Sequence, residues 1–116
     1  MGKIKDVATA IETFKEAARV HGEATGTGNY KLANKNYHLI FKVITYLKEI
    51  DQIDCLNQFL DDPNLNIRVW AATYLLPINE KRALETLNEA SKGSGIISFN
   101  AKVTIDEWKK GHLKSL

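Results

Sequence analysis

One cysteine, two prolines and no long apolar run define what this 116-residue chain does without. Cys55 alone cannot form an intramolecular disulfide. Secreted domains of this size often depend on one, so a reducing, cytoplasmic compartment is expected. No stretch approaches the roughly 20 apolar residues of a membrane helix, and Asp6 and Glu12 interrupt any signal-like core near the start. Met1-Gly2 opens like a myristoylation signal, but Asp6 stands where that signal wants Ser or Thr. No membrane partner is expected. An excess of charge is missing too: 16 Lys and Arg against 14 Asp and Glu leave +2 at pH 7, too little to demand a polyanion. The imbalance is local, with eight basic and five acidic residues in 1–50 but eight and nine in 51–116.

What is present is helical periodicity through nearly the whole chain, without alternating strand patterns. The length, with 44% hydrophobic and 26% charged residues, suits a single domain, 1–116, around one modest core. A first helix is expected over about 3–21, with Ile4, Val7, Ala8, Ile11, Phe14 and Ala18 inward, ending at His21-Gly22. Gly22 to Gly28 reads as a flexible connector. The second helix runs from about Tyr30 to Ile50. Asp51 can cap a short third, to about Leu60, carrying Ile53, Leu56, Phe59 and Leu60. Asp61-Asp62-Pro63 is a turn, after which a fourth helix covers about 64–76 and stops at Pro77. Asn79 can cap a fifth to about Lys92, with Ala83, Leu84, Leu87 and Ala90 inward. Gly93-Ser94-Gly95 precedes a sixth, about 96–110, with Ile97, Ala101, Ile105 and Trp108 inward and Gly111 as its C-terminal cap. The fold class is all-α, about six helices forming three stacked antiparallel pairs.

The second helix carries two apolar stripes, Tyr30, Ala33, Tyr37, Ile40, Phe41, Ile44 and Leu47 on one side, and Leu32, Leu39, Val43, Tyr46 and Ile50 on the other. A helix apolar on two sides is expected to pack between neighbours. Its one polar strip is Lys31, Lys35, His38, Lys42 and Thr45. Asn36 falls among the apolar positions, where its amide must find backbone groups or reach a partner.

In the middle of the chain, Leu60-Asp61-Asp62-Pro63-Asn64-Leu65-Asn66-Ile67-Arg68-Val69-Trp70-Ala71-Ala72-Thr73-Tyr74-Leu75 resembles a HEAT repeat. Asp62, Pro63, Ile67, Arg68, Ala71, Ala72 and Leu75 carry the likeness, and the segment 83–108 resembles a second repeat more loosely, without Asp-Pro. The resemblance implies a short right-handed superhelix of helix pairs, with Asp62 and Arg68 bridging the turn inside one repeat. Arg68-Val69-Trp70-Ala71-Ala72, with Ala101, Ile105, Trp108, Gly111 and Leu113, is also similar to a bacterial family of small HEAT-like domains. Comparable small HEAT-like proteins occur among immunity proteins that neutralise a partner toxin.

Chemical motifs are weak. The connector Gly22 to Gly28 lacks the Gly-Lys-Ser/Thr ending of a phosphate loop and no strand precedes it. His21, His38 and His112 are scattered, with no Cys or second His at ligand spacing, so neither metal nor cofactor is expected. Cys55, between Ile53 and Leu56, reads as a buried small hydrophobe. Glu12 with Glu16, and Glu85 with Glu89, lie beside basic residues as surface charge. No acid–base pair stands out.

The expected function is therefore non-enzymatic protein binding, in the form of an immunity-type inhibitor that covers an acidic surface of a partner toxin or enzyme. The candidate contacts are Lys31, Lys35, His38 and Lys42, as a basic ridge, and Trp70 with Tyr74, which share a stripe with Ile67 and Ala71. The ridge could equally be a solvated face, and the Trp/Tyr pair could be core. The alternative function is weak nucleic-acid binding, since HEAT-like alkylpurine glycosylases grip DNA in a basic concave surface. Those enzymes are about twice this length, and four cations would bind DNA weakly and with strong salt dependence.

Overall fold

The computed structural model describes residues 4–113, and every regular element among them is helical. The expected helix start at Lys3 and the Met1-Gly2 opening lie outside the described residues. In chain order come α1 (Val7–Gly26), α2 (Tyr30–Glu49), a 3-10 helix (Ile53–Phe59), α3 (Leu65–Leu75), α4 (Glu80–Ser91) and α5 (Ile96–Lys109). The fold is all-α. By its contacts the chain divides into two compact units, Met1–Cys55 and Leu56–Leu116. In the first, α1 packs on α2; in the second, α3 packs on α4, α4 on α5, and α3 also meets α5. No described helix is long and apolar enough to cross a membrane.

Asp6 starts α1, its carboxylate accepting the Thr9 N–H at 2.7 Å. The Thr9 N–H and hydroxyl hold that carboxyl below its ordinary pKa. The far end departs from the expected stop at His21-Gly22. α1 runs on to Gly26, and Gly22 is buried in it alongside Ala10, Phe14, Ala17 and Ala18. Glycine inside a helix costs about 1 kcal/mol relative to Ala, which a helix buried on both sides of the position can absorb, so Gly22 does not act as a breaker. The helix stops at Gly28 instead, where φ is +75°. Gly28 N–H donates to Thr25 O and Asn29 N–H to Ala24 O, the paired bonds of a Schellman ending. The connector shrinks to 27–29.

Asp51 also plays a different part from the one expected. Its φ is +57°, and Asp51 N–H donates to Lys48 O while Gln52 N–H donates to Leu47 O. It ends α2 by the same motif, without glycine, rather than capping the next helix. That next element is 3-10, and its buried residues Ile53, Leu56 and Phe59 recur every three positions, the period of a 3-10 helix.

The turn before α3 is built by three side chains. Asp62 Oδ1 accepts the Asn64 N–H at 2.8 Å, and Asn64 Oδ1 caps α3 by accepting the N–H groups of Asn66 and Ile67. Arg68 does bridge back to Asp62, but to its main-chain carbonyl, at 3.0 Å, rather than to its carboxylate. Asn79 stands at the start of α4 as expected, yet its amide donates to Asn57 Oδ1 at 2.8 Å and caps nothing. α5 opens at Gly95, φ +96°, and closes at Gly111, φ +78°, with a third Schellman pair to Trp108 O and Glu107 O. The indole of Trp108 donates to Glu80 at 2.7 Å, tying the end of α5 to the start of α4.

Candidate interaction surface

Within its unit, α2 buries one stripe against α1: Ala33, Asn36, Ile40, Val43, Ile44 and Leu47. That stripe draws on both apolar sides expected from the sequence and leaves the margins of each outside. Tyr30, Tyr37 and Phe41 are exposed, at 75%, 43% and 56%, instead of facing inward. On the other margin Leu32 and Ile50 are exposed, and Leu39 and Tyr46 half-buried. One helical neighbour covers only a band of about 100° or a little more, which is why the two stripes could not both be satisfied. A sequence signal for this existed: Asn34, Thr45 and Lys48 lie among Tyr30, Tyr37 and Phe41 on the same side of the helix.

Lys31, Lys35, His38 and Lys42 are all exposed and form one ridge between these margins. Lys31, Lys35 and Lys42 form no ion pair with any described residue, whereas Arg19 on α1 is held between Glu16 and Glu23. The Tyr37 and His38 rings meet edge to face, 5.7 Å apart. Asn36, buried in the stripe, donates its amide to Leu32 O at 2.9 Å, so its polarity is met locally. Of nine large hydrophobic side chains exposed among the described residues, four lie on α2 and a fifth, Ile50, is its C-cap residue, which makes it the widest candidate contact face.

Trp70 and Tyr74, in the second unit, are half-buried on α3 with their rings stacked, 6.2 Å between centroids and 14° from parallel. They are neither full core nor a free patch. The second unit has a groove of about 520 Å³ lined by Pro77, Glu80, Leu84, Trp108 and Leu113, its carboxylate oriented by the Trp108 indole. A second, polar groove of about 580 Å³ is lined by Asp61, Arg68, Arg82, Glu85 and Glu89, with Arg82 and Asp61 paired at 3.4 Å.

Cys55 is half-buried rather than buried, and burial together with neighbouring Asp54 pushes its thiol pKa up, away from the reactive thiolate. Among the described residues, no three His, Cys, Asp or Glu side chains gather as a metal-ligand set. Compared with known proteins, the chain matches no family model, no curated protein and no solved structure. The surface must therefore be read from its own chemistry.

Proposed function

We propose that this chain is a non-enzymatic, cytoplasmic protein-binding domain with a HEAT-like arrangement of helix pairs, and that α2 makes the contact. The observation that carries the reading is the exposure of Tyr30, Tyr37 and Phe41 directly beside Lys31, Lys35, His38 and Lys42. Large aromatics at the surface bury much area at little entropic cost on binding. Lysines that form no ion pair among the described residues speed encounter with an acidic surface and select against a basic one. An immunity-type inhibitor, which covers a partner toxin or enzyme without chemistry of its own, needs no more than this. The HEAT-like part of the reading draws on the Asp62–Arg68 turn and on Ala71 and Ala72, both fully buried on α3.

A photo-crosslinking side chain at position 35 or 41 tests this in the native cell. Adducts to one protein at both positions, and none from position 15, exposed on α1, are the expected result. Adducts to nucleic acid alone would favour the alternative, a weak nucleic-acid-binding domain, which the same cations make reasonable. Equal labelling from all three positions would remove α2 as the contact face.

A further inference from the structure

Resting on that reading, we infer that the partner of α2 is an acidic amphipathic helix, packed lengthwise with its apolar side on Tyr30, Tyr37 and Phe41 and its carboxylates on the lysines. The shape of the patch leads to this. Tyr30 to Phe41 and Lys31 to Lys42 are each eleven residue steps apart, about 16 Å along the axis at 1.5 Å per step. They form two parallel strips, one aromatic and one cationic, over the same three turns. A helix laid alongside at a shallow crossing angle contacts a neighbour over such a length, and an amphipathic one presents apolar and charged residues as two adjacent strips of its own.

Charge sets the sign of the partner. No carboxylate lies on α2 before Glu49, and Glu12 and Glu16 of α1 border the opposite, aliphatic margin at Asn36 and Leu39, so the aromatic side of the ridge offers a basic or neutral segment no counter-charge from α2. The same repulsion opposes pairing of this face with a second copy of itself. The aromatic margin, rather than the aliphatic one across the ridge, takes the apolar side because its rings are the more exposed. A duplex would leave Tyr37 and Phe41 facing phosphates, with four cations at most to hold it. A single strand could stack on the rings, so it belongs in the test.

The probes are a synthetic helical peptide with a Leu/Phe face flanked by Glu, the same peptide with every Glu replaced by Lys, and a short oligothymidylate. Binding to the full chain is read by fluorescence anisotropy, and the site by amide NMR shifts. The Glu peptide should bind about tenfold or more tighter than the Lys peptide, with shifts centred on residues 30–42 of α2. Lys35→Glu with Lys42→Glu should reverse that preference, and Tyr37→Ser with Phe41→Ser should weaken both peptides. Equal binding of both peptides to α2 would overturn the acidic partner and leave α2 as a protein-docking face. Shifts centred outside α2, or capture of the oligonucleotide in place of the Glu peptide, would overturn both. Failure of the Glu peptide to bind overturns the inference, and the crosslinking experiment then decides whether α2 still docks a protein of other chemistry.

Discussion

α2 and α3 are both apolar on more than one side, yet they end in opposite situations. α3 has Ile67, Val69, Ala71, Ala72 and Leu75 buried within eleven residues, because α4 and α5 both pack on it. α2, almost twice as long, packs within its unit chiefly on α1, buries a single stripe and leaves three aromatic rings exposed. The difference lies in residue size as much as in hydrophobicity. Ala71 and Ala72 allow two neighbours to close on α3, whereas Tyr30, Tyr37 and Phe41 stand off the backbone beside lysines that must stay wet. Apolar surface on a second side is thus core in one helix and contact surface in the other.

The largest expected effect tests that division. Leu75→Ala, at a fully buried site, should cost about 2–5 kcal/mol of stability. Phe41→Ala removes more carbon from an exposed site and should change stability by less than about 0.5 kcal/mol. Urea titrations of the two variants giving similar losses would mean that the aromatic strip of α2 is structural.

Next comes a contact in the second unit. Gly93 lies over Ser98, which is buried and whose hydroxyl has no hydrogen-bond partner among the described residues; a Cβ at position 93 would meet that oxygen at 2.8 Å. Gly93→Ala should cost about 1–3 kcal/mol. In a Ser98→Ala background most of that cost should vanish, since the nearest side-chain atom left is Cβ at 3.9 Å. Ser98→Ala alone should be neutral or stabilising, because it removes a buried, unsatisfied hydroxyl. A double-mutant cycle with no coupling would place the two residues apart.

Most element positions were legible in the sequence, since breakers and inward positions agree for α4 and α5 to within a residue or two. The misses share one physical cause. Glycines and capping residues are local signals, and tertiary packing overrides them. Gly22 is buried inside α1, Asn79 reaches across to Asn57, and Asp51 does a glycine's work at positive φ. The candidate site was legible by half. Charge showed the ridge, since no lysine is comfortable inside. The aromatics beside it look like core by spacing alone, because periodicity shows that a helix has an apolar side but not how many neighbours cover it.

Asp51 offers a smaller test. Its left-handed conformation costs an L-residue about 1 kcal/mol that glycine avoids. Asp51→Gly should therefore raise stability by up to about 1 kcal/mol, while Gly28→Ala and Gly111→Ala, at φ of +75° and +78°, should lower it by a similar amount. Thermal melts moving the same way for all three would mean that these endings do not share one conformational logic.

The smallest effect is a dependence on pH in the first unit. His21 on α1 is half-buried, and burial lowers its pKa below the ordinary 6.5 by penalising the imidazolium. The unfolded chain therefore takes up a proton as pH falls past about 6.5, while the folded chain resists. Below that point the unfolded state binds more protons, so stability falls with falling pH and is fully retained above it. Asp6, lowered by its bonds to Thr9, acts in the same direction but only at pH below its own ordinary 3.8, well outside this window. Melting temperatures between pH 8 and pH 5 should then decline for the wild type and decline less for His21→Gln. Parallel curves would assign the decline to other groups and leave His21 as a packing residue whose ring ionises freely.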